Sequence, residues 1–222
     1  MIRELLVTHL LDLSHTLAAP LFLSVDYPFE ALPQIGDFIR ELSKNLPAEE
    51  YDQAGDGIII AKNAKVAESA SITGPCIIGH HAEIRHCAFI RGNALVGESA
   101  VVGNSTELKN VILFDKVQVP HYNYVGDSVL GYLSHMGAGA VTSNVKSDKT
   151  GVTVVVNGEK VRTGLKKFGA VLGDSVEVGC GTVLNPGTVI GRNANIYPLS
   201  MVRGFVPGGH IYKNRGEVVA KL

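Results

Sequence analysis

The chain has 222 residues, and its 20 Lys or Arg side chains nearly balance its 21 Asp or Glu side chains, which gives a formal net charge of −1. This balance excludes the basic surface of a nucleic-acid-binding protein, and the length favours one domain with a substantial core. Three widely spaced cysteines, Cys76, Cys87 and Cys180, form no Cys-x-x-Cys motif, so we expect a protein of the reducing cytoplasm without disulfides.

The N-terminal part of the chain has the apolar spacing of helices. Ile35, Phe38, Ile39 and Leu42 recur at intervals of three and four. The same spacing occurs earlier, at Ile2, Leu5, Leu6, Leu10 and Leu13. His9, Asp12, His15 and Pro20 interrupt the apolar sequence near the N-terminus, so it predicts neither a membrane span nor a signal sequence, and we expect no membrane contact. Residues 1–57 are therefore predicted to form a small, mostly helical region.

A six-residue repeat follows. Every sixth residue is large and apolar: Val66, Ile72, Ile78, Ile84, Ile90, Val96, Val102, Leu108 and Phe114. A helix would spread this period around its circumference, whereas a strand keeps residues two apart on one face. Such short strands are stable only when coils stack on one another, so the repeat predicts a parallel β-helix. We place it at residues 58–206.

The repeat is irregular after Phe114 and then resumes. The second regular block consists of Leu172, Val178, Leu184, Ile190, Ile196 and Val202. Between the blocks, the segments Val152–Val156 and Glu159–Arg162 flank Asn157-Gly158, which is a strong β-hairpin signal. We interpret residues 145–166 as a protruding hairpin insertion. The tail, residues 207–222, is expected to close the open end of the column.

Three segments, 106–110, 120–127 and 137–140, carry a family resemblance. His121, Tyr124, Gly126 and Asp127 form a His-x-x-Tyr-x-Gly-Asp element. With these segments, residues 58–215 resemble the left-handed hexapeptide-repeat acyltransferases. The similarity is to the C-terminal domain of bifunctional glucosamine-1-phosphate N-acetyltransferase/N-acetylglucosamine-1-phosphate uridyltransferase and to related archaeal sugar-1-phosphate enzymes. The resemblance implies a left-handed β-helix, a homotrimer, acetyl-CoA as acyl donor and an amino-sugar phosphate as small-molecule acceptor.

The resemblance also implies roles for individual residues. His121 matches the general base that takes a proton from the attacking amine, a task suited to a side chain that titrates near neutral pH. Glu107 matches the carboxylate that orients this imidazole. Arg91 and Lys109 match the cations that hold the substrate phosphate, and Tyr124 matches a tyrosine that hydrogen-bonds the substrate.

Further matches extend the expected site. Lys167 matches a lysine contributed by a neighbouring subunit, and His135 stands where a sugar-binding asparagine is usual. Ala138 and Asn144 fall on positions that contact acetyl-CoA, and Arg215 lies at the spacing of an arginine that contacts the cofactor phosphates. No metal is expected.

The sequence also departs from the family pattern. Val145 replaces an aromatic residue near the cofactor, and Cys180 replaces a serine. The predicted helical region contains neither the length nor the glycine-rich loop of a uridyltransferase domain, so we expect only acyl transfer. The resemblance therefore defines the reaction more closely than the acceptor.

Two alternatives remain open at this stage. Gamma-class carbonic anhydrases share the fold and bind zinc through histidines, two of them on one strand, but the chain has no Gly-His-x-x-x-x-His pair. A non-catalytic scaffold or regulatory subunit, related to UDP-N-acetylglucosamine pyrophosphorylase, is the other alternative. In it the N-terminal helices would form a docking surface.

Overall fold

The computed structural model describes residues 2–213 and 217–221, and its N-terminal part consists of short helices. Three are 3₁₀ helices, at Arg3–Leu5, Leu13–His15 and Pro28–Gln34, and three are α-helices: α1 (Val7–Leu10), α2 (Ala19–Phe22) and α3 (Ile35–Ser43). The helix predicted around Ile35 and Ile39 is confirmed, with both side chains buried. The earlier apolar set forms no single helix, because the backbone is extended at Leu6 and Leu11.

The rest of the described chain is almost entirely strands. In chain order they are β1 (Tyr51–Gly55), β2 (Ile58–Ala61), β3 (Lys65–Val66), β4 (Ser71–Thr73), β5 (Cys76–Ile78), β6 (Glu83–Ile84), β7 (Phe89–Arg91), β8 (Ala94–Val96), β9 (Val101–Asn104), β10 (Glu107–Leu113), β11 (Gln118–His121), β12 (Tyr124–Leu130), β13 (His135–Met136), β14 (Val141–Thr142), β15 (Thr153–Val156), β16 (Glu159–Arg162), β17 (Ala170–Leu172), β18 (Glu177–Val178), β19 (Val183–Leu184), β20 (Thr188–Ile190), β21 (Asn195–Ile196), β22 (Met201–Val202), β23 (Phe205–Val206), β24 (His210–Tyr212) and β25 (Val218–Ala220).

Parallel pairing winds these strands into a column with three faces. Face 1 contains β2, β5, β8, the second halves of β10 and β12, β17, β20 and β23. Face 2 contains β4, β7, the first halves of β10 and β12, β14, β19 and β22. Face 3 contains β3, β6, β9, β11, β13, β18, β21 and β24. The predicted left-handed parallel β-helix is confirmed.

The strand register shows that the coils are nearly equal in length until one long excursion. Ile78 pairs with Val96, Val96 with Leu113, and Leu113 with Leu130. The next partner of Leu130 is Leu172, so the chain leaves the column within that coil and returns. The repeat residues Ile84, Ile90, Val96, Val102 and Leu108 point inward and are at most 1% exposed, whereas Val66 in the first coil is 37% exposed. Leu113, not Phe114, takes the position in register with Val96. Burying one such side chain stabilises the fold by about 1.5–3 kcal/mol.

Residues with positive φ mark the three corners of the column. Corner A (between faces 3 and 2) contains Cys87, Ser105 and Tyr122; corner B (between faces 2 and 1) contains Asn93, Asn110 and Asp127; corner C (between faces 1 and 3) contains His81, Ser99 and Lys116. This left-handed conformation turns the chain sharply between strands. Asn and Asp adopt it at lower cost than most residues, which explains their place at corner B.

Face 1 is covered by the N-terminal region. Its outward-pointing side chains form an apolar column, Ile77, Leu95, Ile112, Val129, Val171 and Val189, and each is at most 1% exposed. The ring of Phe22 lies 5.5 Å from that of Phe114, and the ring of Phe29 lies 5.4 Å from that of Phe168. The helices therefore extend the hydrophobic core beyond the column.

Asp174 fastens the N-terminal region at the corner C side. Its carboxylate accepts hydrogen bonds from the backbone of Asp12 at 2.8 Å and of Tyr132 at 2.9 Å, and Arg192 lies 3.1 Å away. Burial raises the pKa of the Asp174 carboxyl, which the positive charge of Arg192 partly offsets. The carboxylate thus joins two coils to the segment that covers face 1.

The predicted hairpin is present, and it lies back along the column. Strands β15 and β16 pair across Asn157-Gly158, both of which have positive φ. Alternate valines of the hairpin segment, Val152, Val154 and Val156, are at most 2% exposed. A Cβ added at Gly187 would lie 2.8 Å from the Val152 side chain. The hairpin therefore packs against the corner B side of the later coils, because one of its faces is apolar.

Antiparallel strands cover part of both ends of the column. The first coil pairs with β1, a strand within the predicted helical region, and β24 pairs with β25 of the tail. The parallel ladder continues to Tyr212, beyond the expected boundary at residue 206. Among the helices of residues 2–213 and 217–221, none combines the length and apolarity that a bilayer crossing needs.

Candidate active site

His121 ends strand β11 at corner A, and its imidazole is exposed. Its backbone N–H donates to Asn123 Oδ1 at 3.1 Å, and its carbonyl accepts from the N–H of Gly139 at 3.0 Å. The ring itself forms no hydrogen bond or ion pair with the described residues. The backbone is therefore fixed in the coil while the imidazole is free to meet a ligand.

Asn123 holds this corner in place and was not identified from the sequence. It is 2% exposed, and its Nδ2 donates to the carbonyls of Gly137 at 2.8 Å and Ala140 at 3.0 Å. A buried amide that satisfies several backbone groups of a neighbouring coil rigidifies the turn between them. Its position two residues after His121 could have drawn attention to it, because Asn is typical of sharp turns.

Arg91 and Glu107 form an ion pair on face 2. Arg91 Nη1 donates to Glu107 Oε1 at 2.7 Å, and Glu107 lies in register with Phe89 and Tyr124. The hydrogen bond to Glu107, together with its charge, raises the pKa of the Arg91 guanidinium. Lys109 follows two residues after Glu107 on the same outward side. Both expected phosphate ligands therefore share one face.

The expected contact between Glu107 and the His121 ring is absent from the described residues. The Glu107 carboxylate is bound instead by Arg91, whose guanidinium lies one coil away on the same face. Arg91 carries a full positive charge, so its hydrogen bond to the carboxylate is charge-assisted, which favours Arg91 as the partner of Glu107. Whether Glu107 orients His121 during a reaction stays a prediction.

Tyr124 lies on face 2 beside the ion pair. Its Oη accepts a hydrogen bond from Asn144 Nδ2 at 3.2 Å. A Cβ added at Gly126 would lie 2.5 Å from Tyr124 Oη, so the ring lies across that glycine. Burial, followed by the negative charge of Asp127, raises the pKa of the Tyr124 phenol. Asn144, expected at a cofactor contact, is here a partner of Tyr124.

A groove of about 610 Å³ runs along face 3, over the coils that follow His121. His135 and Glu177 form one wall, with His135 Nδ1 2.8 Å from Glu177 Oε2. Gly137 and Gly179 line its floor, and Cys180 is exposed at its rim. His135 therefore lies on a different face from Arg91 and Lys109.

Corner A connects this groove to His121. The carbonyl of His121 accepts from Gly139, that of Ala138 from Gly181, and that of Cys180 from Leu199. The exposed residue Ala138 therefore lies one coil beyond His121, and Cys180 lies one coil further along the same corner. With a spacing of about 4.8 Å between neighbouring strands, Cys180 is roughly 10 Å from His121 along the column.

Two of the residues expected at the site, Lys167 and Arg215, are not found near His121 in the described part of the chain. Lys167 is exposed at the end of the excursion and precedes Phe168, whose N–H donates to the carbonyl of Asn144 at 2.9 Å. Lys167 therefore lies at the corner B side of the column, whereas His121 lies at corner A. Arg215 lies outside the described residues. The described residues contain no group of three His, Cys, Asp or Glu side chains arranged to hold a metal ion.

Comparison with known proteins gives the family context. Residues 72–168 match the family model described as the GMPPB C-terminal domain. The chain is 40% identical over 94 residues to the bifunctional protein GlmU of Methanococcus vannielii, which covers 42% of the chain and 22% of that protein. It is 36% identical over 111 residues to a bifunctional sugar-1-phosphate nucleotidylyltransferase/acetyltransferase of Sulfurisphaera tokodaii, which covers 50% of the chain and 28% of that protein. The resemblance to hexapeptide-repeat acyltransferases is confirmed.

Other matches, to an acetyltransferase and an N-acyltransferase, are longer and more distant. The uncharacterized acetyltransferase YaiX of Escherichia coli is 28% identical over 168 residues, covering 76% of the chain and 73% of that protein. The N-acyltransferase AntD of Bacillus cereus, solved with dTDP and coenzyme A, aligns with 16% identity and a TM-score of 0.45 over 78% of this chain and 91% of its own. Because the chain spans only about a quarter of the bifunctional relatives, their activities are not transferred to it by similarity alone.

Proposed function

We propose that the protein is an acetyl-CoA-dependent N-acetyltransferase whose acceptor is an amino-sugar phosphate. The observation that carries the proposal is the position of His121. Its imidazole lies at corner A, beside the face that presents Arg91 and Lys109 and one coil before the groove on face 3. One side offers room for a thioester and the other offers cations for a phosphate.

His121 suits the role of general base in this reaction. A neutral amine attacks the carbonyl carbon of the acetyl thioester, so a C–N bond forms and the C–S bond breaks. The nitrogen loses one proton, which an imidazole accepts near neutral pH, and the thiolate of CoA leaves and takes up a proton. The exposure of the ring supports this role because no partner in the described chain competes for it.

Arg91 supports a phosphate on the acceptor. Its pair with Glu107 uses one of the five N–H groups of a guanidinium, so the others remain available to phosphate oxygens. Lys109 adds a second positive charge on the same face. A phosphate bound here would also compete with Glu107 for Arg91 and would leave that carboxylate free to approach His121.

The groove on face 3 supports the binding of acetyl-CoA. Gly137 and Gly179 leave its floor without side chains, and Ala138 adds only a methyl group at the adjoining corner. Such a surface accommodates an extended, flexible chain such as the pantetheine arm. The groove continues along the column from His121, which would bring the thioester to the imidazole.

Assembly into a homotrimer forms part of the proposal. Large apolar side chains are exposed at corner A and on the adjoining part of face 2, namely Tyr122, Val183, Leu199 and Met201. Leu199 is 83% exposed and Met201 68% exposed, values that favour a covered surface. Because Lys167 lies away from His121 in its own chain, a neighbouring copy is the source from which it could reach the site.

The test is a thiol-release assay with acetyl-CoA and a panel of amino-sugar 1-phosphates. His121→Ala should lower kcat by about 10²–10⁴, the usual contribution of a general base, without changing Tm. His9→Gln, at an exposed histidine of α1, is the matched control and should keep wild-type turnover. An unimpaired His121→Ala variant would contradict the mechanism. Zinc content and carbon dioxide hydration, measured on the same protein, would identify the carbonic anhydrase alternative.

A further inference from the structure

Three polar side chains form a continuous hydrogen-bonded ladder at corner B. Asn110, Asp127 and Asn144 occupy equivalent positions, one in each of three successive coils. Asn110 Nδ2 donates to Asp127 Oδ1 at 3.0 Å, and Asn144 Nδ2 donates to Asp127 Oδ2 at 2.6 Å. Asp127 is only 7% exposed. Both carboxylate oxygens are therefore satisfied inside the protein.

The carboxylate fixes the orientation of both amides. An ionised carboxylate only accepts hydrogen bonds, so each neighbouring amide must turn its NH₂ group towards Asp127. The second hydrogen of Asn110 Nδ2 donates to the carbonyl of Leu32 at 3.2 Å. The second hydrogen of Asn144 Nδ2 donates to Tyr124 Oη at 3.2 Å. Neither amide can turn over without placing its own oxygen against an oxygen of Asp127.

This orientation determines what the Tyr124 hydroxyl can do. Because Tyr124 Oη accepts a hydrogen bond from Asn144, its own hydrogen is not used by that partner. The ring lies across Gly126 on the outward side of face 2, in register with Glu107. The free hydrogen is therefore available to a ligand held beside the Arg91–Glu107 pair.

We propose that Asp127 is a positioning residue that keeps Tyr124 as a hydrogen-bond donor towards the amino-sugar acceptor. The identity of the ligand, an amino-sugar acceptor, rests on the proposed function. The direction of the hydrogen bond, from the Tyr124 hydroxyl to the ligand, rests on the ladder. Asp127 acts through Asn144 and does not touch the acceptor. The acceptor oxygen that meets Tyr124 must offer a lone pair, as a phosphate or carbonyl oxygen does.

A reciprocal exchange tests this role against a purely structural one. In the double variant Asp127→Asn, Asn144→Asp, the new amide can accept from Asn110 and donate to the new carboxylate, so every ladder bond is kept. The carboxylate at position 144 then accepts from the Tyr124 hydroxyl, which reverses that bond. Asparagine tolerates the positive φ of 48° at position 127. Asp174→Asn, at a similarly buried carboxylate on the corner C side, is the matched control and should keep the wild-type kcat/KM.

The expected result is a stable protein with impaired use of the acceptor. The exchanged variant should keep its Tm within about 3 °C of wild type. Its kcat/KM for the amino-sugar phosphate should fall about tenfold, as in Tyr124→Phe, and adding Tyr124→Phe should cause no further loss. Asp127→Asn alone, in which the Asn144 amide turns over, should give the same loss. Full activity in the exchanged variant, or an additional loss with Tyr124→Phe, would overturn the proposal.

A second measurement does not depend on turnover. The ionisation of Tyr124 is followed by ultraviolet absorbance and isolated by subtracting the curve of Tyr124→Phe. In the exchanged variant the phenol donates directly to a carboxylate, which should raise the pKa of Tyr124 above its wild-type value. An unchanged titration would refute the ladder contact whether or not the enzyme turns over. A raised pKa without turnover of any amine by the wild type would support the ladder and contradict the proposed function.

Discussion

Arg91 and Glu107, one coil apart on face 2, are joined by a hydrogen bond of 2.7 Å between Nη1 and Oε1. The pair lies at the surface, with side chains 44% and 32% exposed, so it contributes little to folding. The pair restricts the Arg91 guanidinium to the side of face 2 that also carries Tyr124 and Lys109. For the proposed phosphate, this restriction would reduce the side-chain entropy lost on binding.

Arg91→Ala should therefore impair binding of a phosphorylated acceptor. We expect KM for glucosamine 1-phosphate to rise about 10- to 100-fold, the loss of one charge-assisted hydrogen bond, with Tm unchanged. Turnover of unphosphorylated glucosamine should stay as in the wild type. Steady-state thiol-release kinetics with the two acceptors measure both effects.

Arg85 provides the matched control for this prediction. It pairs with Glu83 on face 3, with Nη2 2.7 Å from Oε2 and similar exposure. Arg85→Ala removes an equivalent pair away from the proposed phosphate position and should leave both acceptors unaffected. Equal effects of the two substitutions would show that Arg91 has no specific role in phosphate binding.

The side chains that point into the column could be predicted from the sequence, because they recur every six residues. Every repeat residue from Ile84 to Leu108 is buried in the core, as the six-residue period requires. The covering of face 1 was missed, although it has a signal of its own. Ile77, Leu95 and Ile112 are apolar at the position before the inward-pointing residue of face 1, once per coil rather than once per strand. This period of one full coil is a weaker signal in the sequence than the six-residue repeat, because it recurs only a third as often.

In the candidate site, too, the sequence predicted individual residues but not the contacts between neighbouring coils. The resemblance predicts His121, Arg91 and Tyr124 as site residues, and in the structure they lie at corner A and on face 2. The ladder through Asp127 was not identified, although asparagine or aspartate recurs once per coil from Asn93 to Asn144. The partner of Glu107 could not be foreseen either, because a choice between Arg91 and His121 depends on distances across coils.

Gly126→Ala should displace Tyr124 while preserving the column. The added methyl group would lie 2.5 Å from Tyr124 Oη and 2.7 Å from its Cζ, a contact that the ring must relieve by moving. We expect kcat/KM for the acceptor to fall about tenfold, as for loss of one hydrogen bond, with a Tm decrease of a few degrees. Thiol-release kinetics and calorimetry test this expectation.

Gly151→Ala is the control for this substitution. A Cβ at Gly151 would meet only the carbonyl of Leu165, at an ordinary distance of 3.8 Å. It should therefore keep wild-type kinetics and stability. If Gly126→Ala retained full activity, the ring of Tyr124 would be free to act from another position, and its proposed role as a fixed donor would fail.

Leu199→Glu and Met201→Glu should disrupt the proposed trimer. Both side chains are exposed in a single chain, and a buried carboxylate between subunits carries a large desolvation cost. Light scattering should show three chains in the wild type and one in the variants, with loss of turnover because Lys167 no longer reaches a neighbouring site. Leu23→Glu, at a leucine 77% exposed on the N-terminal region, should leave mass and turnover unchanged. A fully active monomeric wild type would refute the shared site.

The environment of the Asp115 carboxyl group leads to a prediction of how the stability of the protein depends on pH. Its Oδ1 accepts a hydrogen bond from the backbone N–H of Glu98 at 2.8 Å, at the edge of the segment that covers face 1. Burial, reinforced by the charge of Glu98, raises the pKa of the Asp115 carboxyl above its usual value. The folded protein therefore binds this proton more tightly than the unfolded chain does.

The sign of the effect follows from this difference. The free energy of unfolding falls as pH rises from the pKa of Asp115 in the unfolded chain, about 3.9, through its raised pKa in the folded protein. At neutral pH the whole destabilisation by the ionised carboxylate is present. Asp115→Asn keeps an oxygen for the Glu98 N–H and removes the charge, so its Tm should exceed that of wild type at pH 7.5. The difference should shrink towards pH 4. A constant difference between wild type and Asp115→Asn across this range would contradict the assignment to Asp115.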